Sequence, residues 1–76
     1  MKKYLMTISD IVRKKRRTLK LSQQELEKRS SVTQSMISRI ESSDAENVSI
    51  DLLRKLATAL ECKLIDLLPE SDKHAQ

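Results

Sequence analysis

The chain contains no glycine, tryptophan or phenylalanine, and only one each of tyrosine, proline, cysteine and histidine among its 76 residues. The missing glycine excludes the phosphate loop of nucleotide-hydrolysing enzymes, the dinucleotide fingerprint and the nucleophile elbow. Each of these needs backbone at positive φ or pressed against a ligand. Cys62 has no partner for an internal disulfide, and with His74 as the sole histidine no zinc site of the usual ligand count can be assembled. No run approaches the roughly 18 apolar residues that cross a membrane. The start MKKYLMTISDIV is too short and interrupted for a signal peptide, so a cytoplasmic protein is expected. An enzyme would need an acid, base or nucleophile constellation, and only scattered carboxylates are present. No metal, cofactor or small-molecule ligand is expected in so short a chain. With aromatics at 1% and few β-branched runs, the apolar residues are those of helices packed through Leu, Ile, Val and Met.

The formal net charge of +4 conceals an asymmetry. Residues 1–39 carry 11 Lys/Arg against 3 Asp/Glu, whereas residues 40–76 carry 4 against 8. A basic half beside an acidic half presents one positive face, for which polyanions are the obvious partners.

No repeat or low-complexity stretch divides the chain, so one domain over residues 1–69 and a flexible tail at 70–76 are expected. Ile8, Ile11, Val12 and Leu19 share one helical face, with Thr7 as cap and Asp10 three residues on. Ser22-Gln23-Gln24-Glu25 reads as a capping box, and Leu21 with Leu26 supplies the hydrophobic staple. Thr33 caps a third helix, Val32 with Ile37 repeats the staple, and that helix ends near Glu41. Ser49 caps a fourth, with a broad stripe of Leu52, Leu53, Leu56, Ala57 and Leu60. A fifth short helix is expected at about Leu64 to Leu68, stopped by Pro69. The fold class is all-α, with five helices.

Two short helices joined by a tight turn, the second with a polar outer face, form a helix-turn-helix, whose second helix is narrow enough to enter the DNA major groove. At about 100° per residue, Ile37 and Ile40 of the third helix point inward and Gln34, Ser35, Ser38 and Arg39 point outward. These suit base reading: Gln pairs with adenine N6 and N7, Arg with guanine O6 and N7, and Ser with either. Met36 lies on the flank, where partial packing is expected.

LSQQELEKRSSVTQSMISRIE followed by SIDLLRKLATALECKLIDLL resembles the lambda-repressor/Cro-like (XRE-type) helix-turn-helix family over roughly residues 8–68. The resemblance implies a compact five-helix domain with base contacts from Gln34, Ser35, Ser38 and Arg39. It also implies phosphate contacts from Gln23 and Thr33, with Gln23 bracing Gln34. Helix N-termini suit anions independently, through their free N–H groups. Arg16 and Glu41 occupy positions that pair in the family; Arg16 lies on the inner face of its helix and needs a partner there. Arg13 and Arg17 add long-range attraction to phosphate. A membrane or calmodulin-like target for this basic helix is disfavoured, because its apolar face is used by the core.

Several positions depart from the family. Glu27 stands where alanine is usual, at the close approach of the two helices, and can tilt outward or pair with Lys28 or Arg39. The loop Ser42-Ser43-Asp44-Ala45-Glu46-Asn47 is acidic, leaving Ser43, Asn47 and main-chain N–H groups as its phosphate contacts. The family commonly places glycine where this chain has Lys20, Ser31, Ser43 and Glu61. Kept in left-handed backbone, each would carry roughly 1 kcal/mol of strain, relieved in part by a less disordered unfolded state. Cys62 is expected in the core, and His74 in the tail is expected to be inert.

The function these residues imply is a sequence-specific DNA-binding regulator, a repressor acting as a homodimer on a palindromic operator. One reading helix covers too few base pairs, so half-sites about 34 Å apart are expected. The dimer surface is expected at Leu64, Ile65, Leu67 and Leu68. The alternative is an antitoxin subunit or a restriction-modification controller protein that binds a protein partner, regulates its own operon, or does both; on either reading a bacterial or phage-encoded protein is expected.

Overall fold

The computed structural model describes residues 7–42 and 48–69. They form α1 (Ile8–Thr18), α2 (Gln23–Ser30), α3 (Gln34–Glu41) and α4 (Ile50–Ala59), then one 3₁₀ turn at Leu64–Leu67. No strand occurs among the described residues, and none of these helices is long and apolar enough to cross a membrane.

Each α-helix begins at a hydroxyl side chain that satisfies an otherwise orphaned N–H group. Thr7 Oγ1 accepts from the Asp10 N–H and Ser22 Oγ from the Glu25 N–H; the carboxylates of Asp10 and Glu25 accept from the cap N–H groups in return. Thr33 and Ser49 accept from the N–H groups of Met36 and Leu52.

The helix ends show how the chain turns without glycine. Lys20, Ser31 and Glu61 all have left-handed backbone, with φ of 60°, 64° and 61°. After α1, Lys20 N–H donates to Arg17 O and Leu21 N–H to Arg16 O; after α4, Glu61 N–H donates to Thr58 O and Cys62 N–H to Ala57 O. Both are Schellman motifs, normally closed by glycine. Their next residues, Leu21 and Cys62, pack on the core as that motif favours. Ser31 N–H donates to Glu27 O at the end of α2, and the buried Ser30 Oγ accepts from Val32 N–H at 3.1 Å, tightening the turn into α3. Ser43, the fourth position of this kind, and the 70–76 tail lie outside the described residues.

The expected fifth helix is a correction: Leu64–Leu67 closes as a 3₁₀ turn, so the described chain has four α-helices and not five. Asp66 Oδ2 accepts from Lys63 N–H at 3.0 Å, and the bonds that follow span three residues, from Asp66 N–H to Lys63 O and from Leu68 N–H to Ile65 O. Pro69 drives Leu68 into extended backbone (ψ 147°), leaving no length for an α turn.

Val12, Leu26, Ile37, Ile40, Leu56 and Leu67 are wholly buried and form the centre, with Val32, Leu53, Ala57, Ala59 and Leu60 around them. α3 lies between α1 and α2, and α4 packs on α2 and on the 3₁₀ turn. This holds α3 from behind and leaves its other face to solvent.

Candidate nucleic-acid interface

The free face of α3 carries the side chains singled out by periodicity. Ser35, Ser38 and Arg39 are exposed, Gln34 is half-buried at the first helical position, and Ile37 and Ile40 are fully buried. Met36 packs partly against the core. This set on one helix gives a surface of one amide and one guanidinium with two small hydroxyls, the donor and acceptor types that read base edges.

The back of α3 is fastened through Glu41, whose side chain is 5% exposed. Arg16 Nε donates to Glu41 Oε2 at 2.6 Å and Arg16 Nη2 to Oε1 at 2.9 Å, a two-point pair between α1 and the last residue of α3. Arg16 Nη1 donates to Leu21 O at 2.7 Å, so one guanidinium also ties the α1–α2 turn. Burial pushes the Glu41 carboxyl up, but hydrogen bonds from Arg16 and Gln23 and the charges of Arg16 and Arg13 together hold it below the ordinary carboxylate value. The same hydrogen bond raises the pKa of Arg16.

The contacts of two residues escaped the sequence. Arg13, assigned there to phosphate attraction, donates from Nη1 to the Glu41 main-chain carbonyl at 2.7 Å and from Nη2 to Asp10 Oδ1 at 2.7 Å. A cation at the C-terminal end of α3 also meets the negative pole of that helix. Gln23, assigned to phosphate and to Gln34, turns its Nε2 onto Glu41 Oε1 at 3.2 Å. The spacing of Arg13 and Arg16, one turn apart on α1, was the available signal for the first contact. Nothing local in the sequence signals the second, which joins residues 18 apart.

Of the remaining candidates, Thr33 is exposed, and its hydroxyl, accepting from Met36 N–H, keeps its own proton to donate; Arg17 is exposed on α1. Ser43 and Asn47 lie outside the described residues. Glu27, half-buried, lines with Gln24, Lys28, Ser31 and Gln34 a shallow open groove between α2 and the start of α3. Glu27 thus shares this surface groove with Gln34, while Leu26 is the wholly buried residue of α2. Cys62 is partly buried, and burial pushes its thiol up, as for a packed side chain.

Of the surface expected for pairing, Leu67 is a correction: it is 0% exposed, because the 3₁₀ turn points it into the core. Ile65 is 50% exposed, while Leu64 and Leu68 are half-buried on either side of it.

Residues 12–67 match the model of a family described as Helix-turn-helix (HTH_3). No curated protein and no solved structure matches the chain.

Proposed function

The chain belongs to the helix-turn-helix family (HTH_3), a family of DNA-binding regulators, and from that premise we propose that it is a repressor that reads a palindromic operator as a homodimer. The observation that carries this reading is the division of α3, with Ile37 and Ile40 wholly buried and Ser35, Ser38 and Arg39 exposed. Docked in the major groove, Gln34 and Arg39 make paired hydrogen bonds to purine edges, and Ser35 and Ser38 fill the space between. Gln23, Thr33 and the first turn of α2 meet the phosphates, which fix register without selecting sequence. The excess of basic residues within 1–39 attracts the duplex at long range. Ile65, Leu64 and Leu68 supply the pairing surface, and two-fold pairing sets the half-sites about one helical turn apart.

The test is selection of duplexes from a random pool, followed by titration of the selected site. A consensus with two inverted half-sites is expected. Arg39→Ala should relax the preference at one base pair in each half-site, at a cost of about 1–3 kcal/mol. A pool that yields no consensus, or an Arg39→Ala protein with unaltered preference, overturns the proposed reading face.

A further inference from the structure

We propose that Glu41 is a positioning residue for the DNA-backbone contact, fixing the Gln23 side-chain amide before the duplex arrives. The proposal rests on the reading that Gln23 meets a phosphate, and it explains why the carboxylate of one α3 residue gathers contacts from both α1 and α2. Arg16 alone would satisfy the pairing of α1 with α3, through Oε2 at 2.6 Å and Oε1 at 2.9 Å. The additional bond, Gln23 Nε2 to Glu41 Oε1 at 3.2 Å, reaches the first residue of α2.

A glutamine amide has two hydrogens on nitrogen and can flip to present its oxygen instead. An oxygen turned toward phosphate is repelled, and a freely rotating side chain loses rotamer freedom on binding. With one Nε2 hydrogen held by Glu41, the flip is fixed and the second hydrogen remains for a phosphate oxygen. Prior ordering of one such side chain is worth roughly tenfold in affinity. A carboxylate near a polyanion would ordinarily oppose binding. Here its charge is met by the two-point Arg16 pair, and Arg13 sits on the main-chain carbonyl of the same residue at 2.7 Å.

Two measurements test this on the full chain. In the free protein the Gln23 side-chain amide should be ordered by ¹⁵N relaxation, whereas the amide of the exposed neighbour Gln24 should move freely; equal mobility of the two overturns the proposal. For binding, Gln23→Ala should weaken the selected duplex and unrelated duplexes alike by about tenfold. The combined change Arg16→Met with Glu41→Leu removes the acceptor while placing an apolar contact where the ion pair was, an exchange often neutral for stability. It should weaken binding by a similar factor, with no further loss when Gln23→Ala is added, because the two act through one contact. Multiplying losses show that Glu41 does not act through Gln23 and overturn this proposal alone. A wild-type chain that binds no duplex overturns the DNA reading and this proposal with it. If the combined variant does not fold, the relaxation comparison on the wild-type chain still decides.

Discussion

Glu41 is buried as a charge, and its stability depends on every donor around it. Glu41→Ala would leave the Arg16 guanidinium, whose side chain is 11% exposed, without its partner. Breaking a pair this deep is expected to cost about 3 kcal/mol, read as a lower urea midpoint at unchanged slope. An unchanged midpoint would remove the pair from the account of stability. The pH dependence follows from the lowered carboxyl pKa. Above the ordinary value of 4.5 the contribution of Glu41 is complete; as pH falls below it the unfolded chain takes up the proton first, and the contribution is lost as pH passes through the folded value. Wild-type protein should therefore lose more stability than Glu41→Ala between neutral pH and pH of about 3; equal losses would show that other carboxylates govern the acid limb. That Arg16 faces inward was legible in the sequence, because its helical face is set by the apolar residues on either side. The turn of Gln23 onto Glu41 was not, since it depends on how two helix ends meet across the fold.

At the scale of the elements, the starts of the helices were more legible than their ends. A cap is a pattern of three or four neighbouring residues, so Thr7 with Asp10 and Ser22 with Glu25 could be read locally. The end of the chain's last element could not, because the choice between an α and a 3₁₀ turn at Leu64–Leu67 rests on Pro69 and on how far Leu67 must reach into the core. The left-handed residues are the elements' weakest points. Ser31 closes α2 with a Cβ in a conformation that glycine adopts without penalty. Ser31→Gly should stabilise by up to about 1 kcal/mol, less whatever the more disordered unfolded chain takes back. In a domain of this size that is a rise of a few degrees, up to about 4–8 °C, in thermal unfolding. A lower Tm would show that the unfolded-state term wins, and that glycine is disfavoured here for the freedom it brings.

For the whole molecule, the exposed apolar surface bears on the proposed pairing of two copies. Ile50 and Ile65 are the large apolar side chains most open to solvent among the described residues. Ile65 with half-buried Leu64 and Leu68 at its edges is a small set beside the roughly 20–30 residues a side found in stable complexes. The proposed pair should therefore be weak in free solution and completed on the proposed operator, where one duplex would hold both copies. Sedimentation at tens of micromolar should show a rapid monomer–dimer exchange, and Ile65→Lys should abolish cooperative filling of the two half-sites while leaving half-site affinity intact. Cooperativity that survives Ile65→Lys and is lost with Ile50→Lys would move the pairing surface to the start of α4. The double hold on Glu41, by Arg16 at the side chain and Arg13 at the carbonyl, has a consequence for the DNA. Through these contacts a shift of the C-terminal end of α3 pulls on α1. On the proposed reading, a head braced in this way follows irregularities of the groove poorly, so the duplex would bend or twist to meet it, and the stiffness of base pairs that no side chain touches would become part of what is recognised.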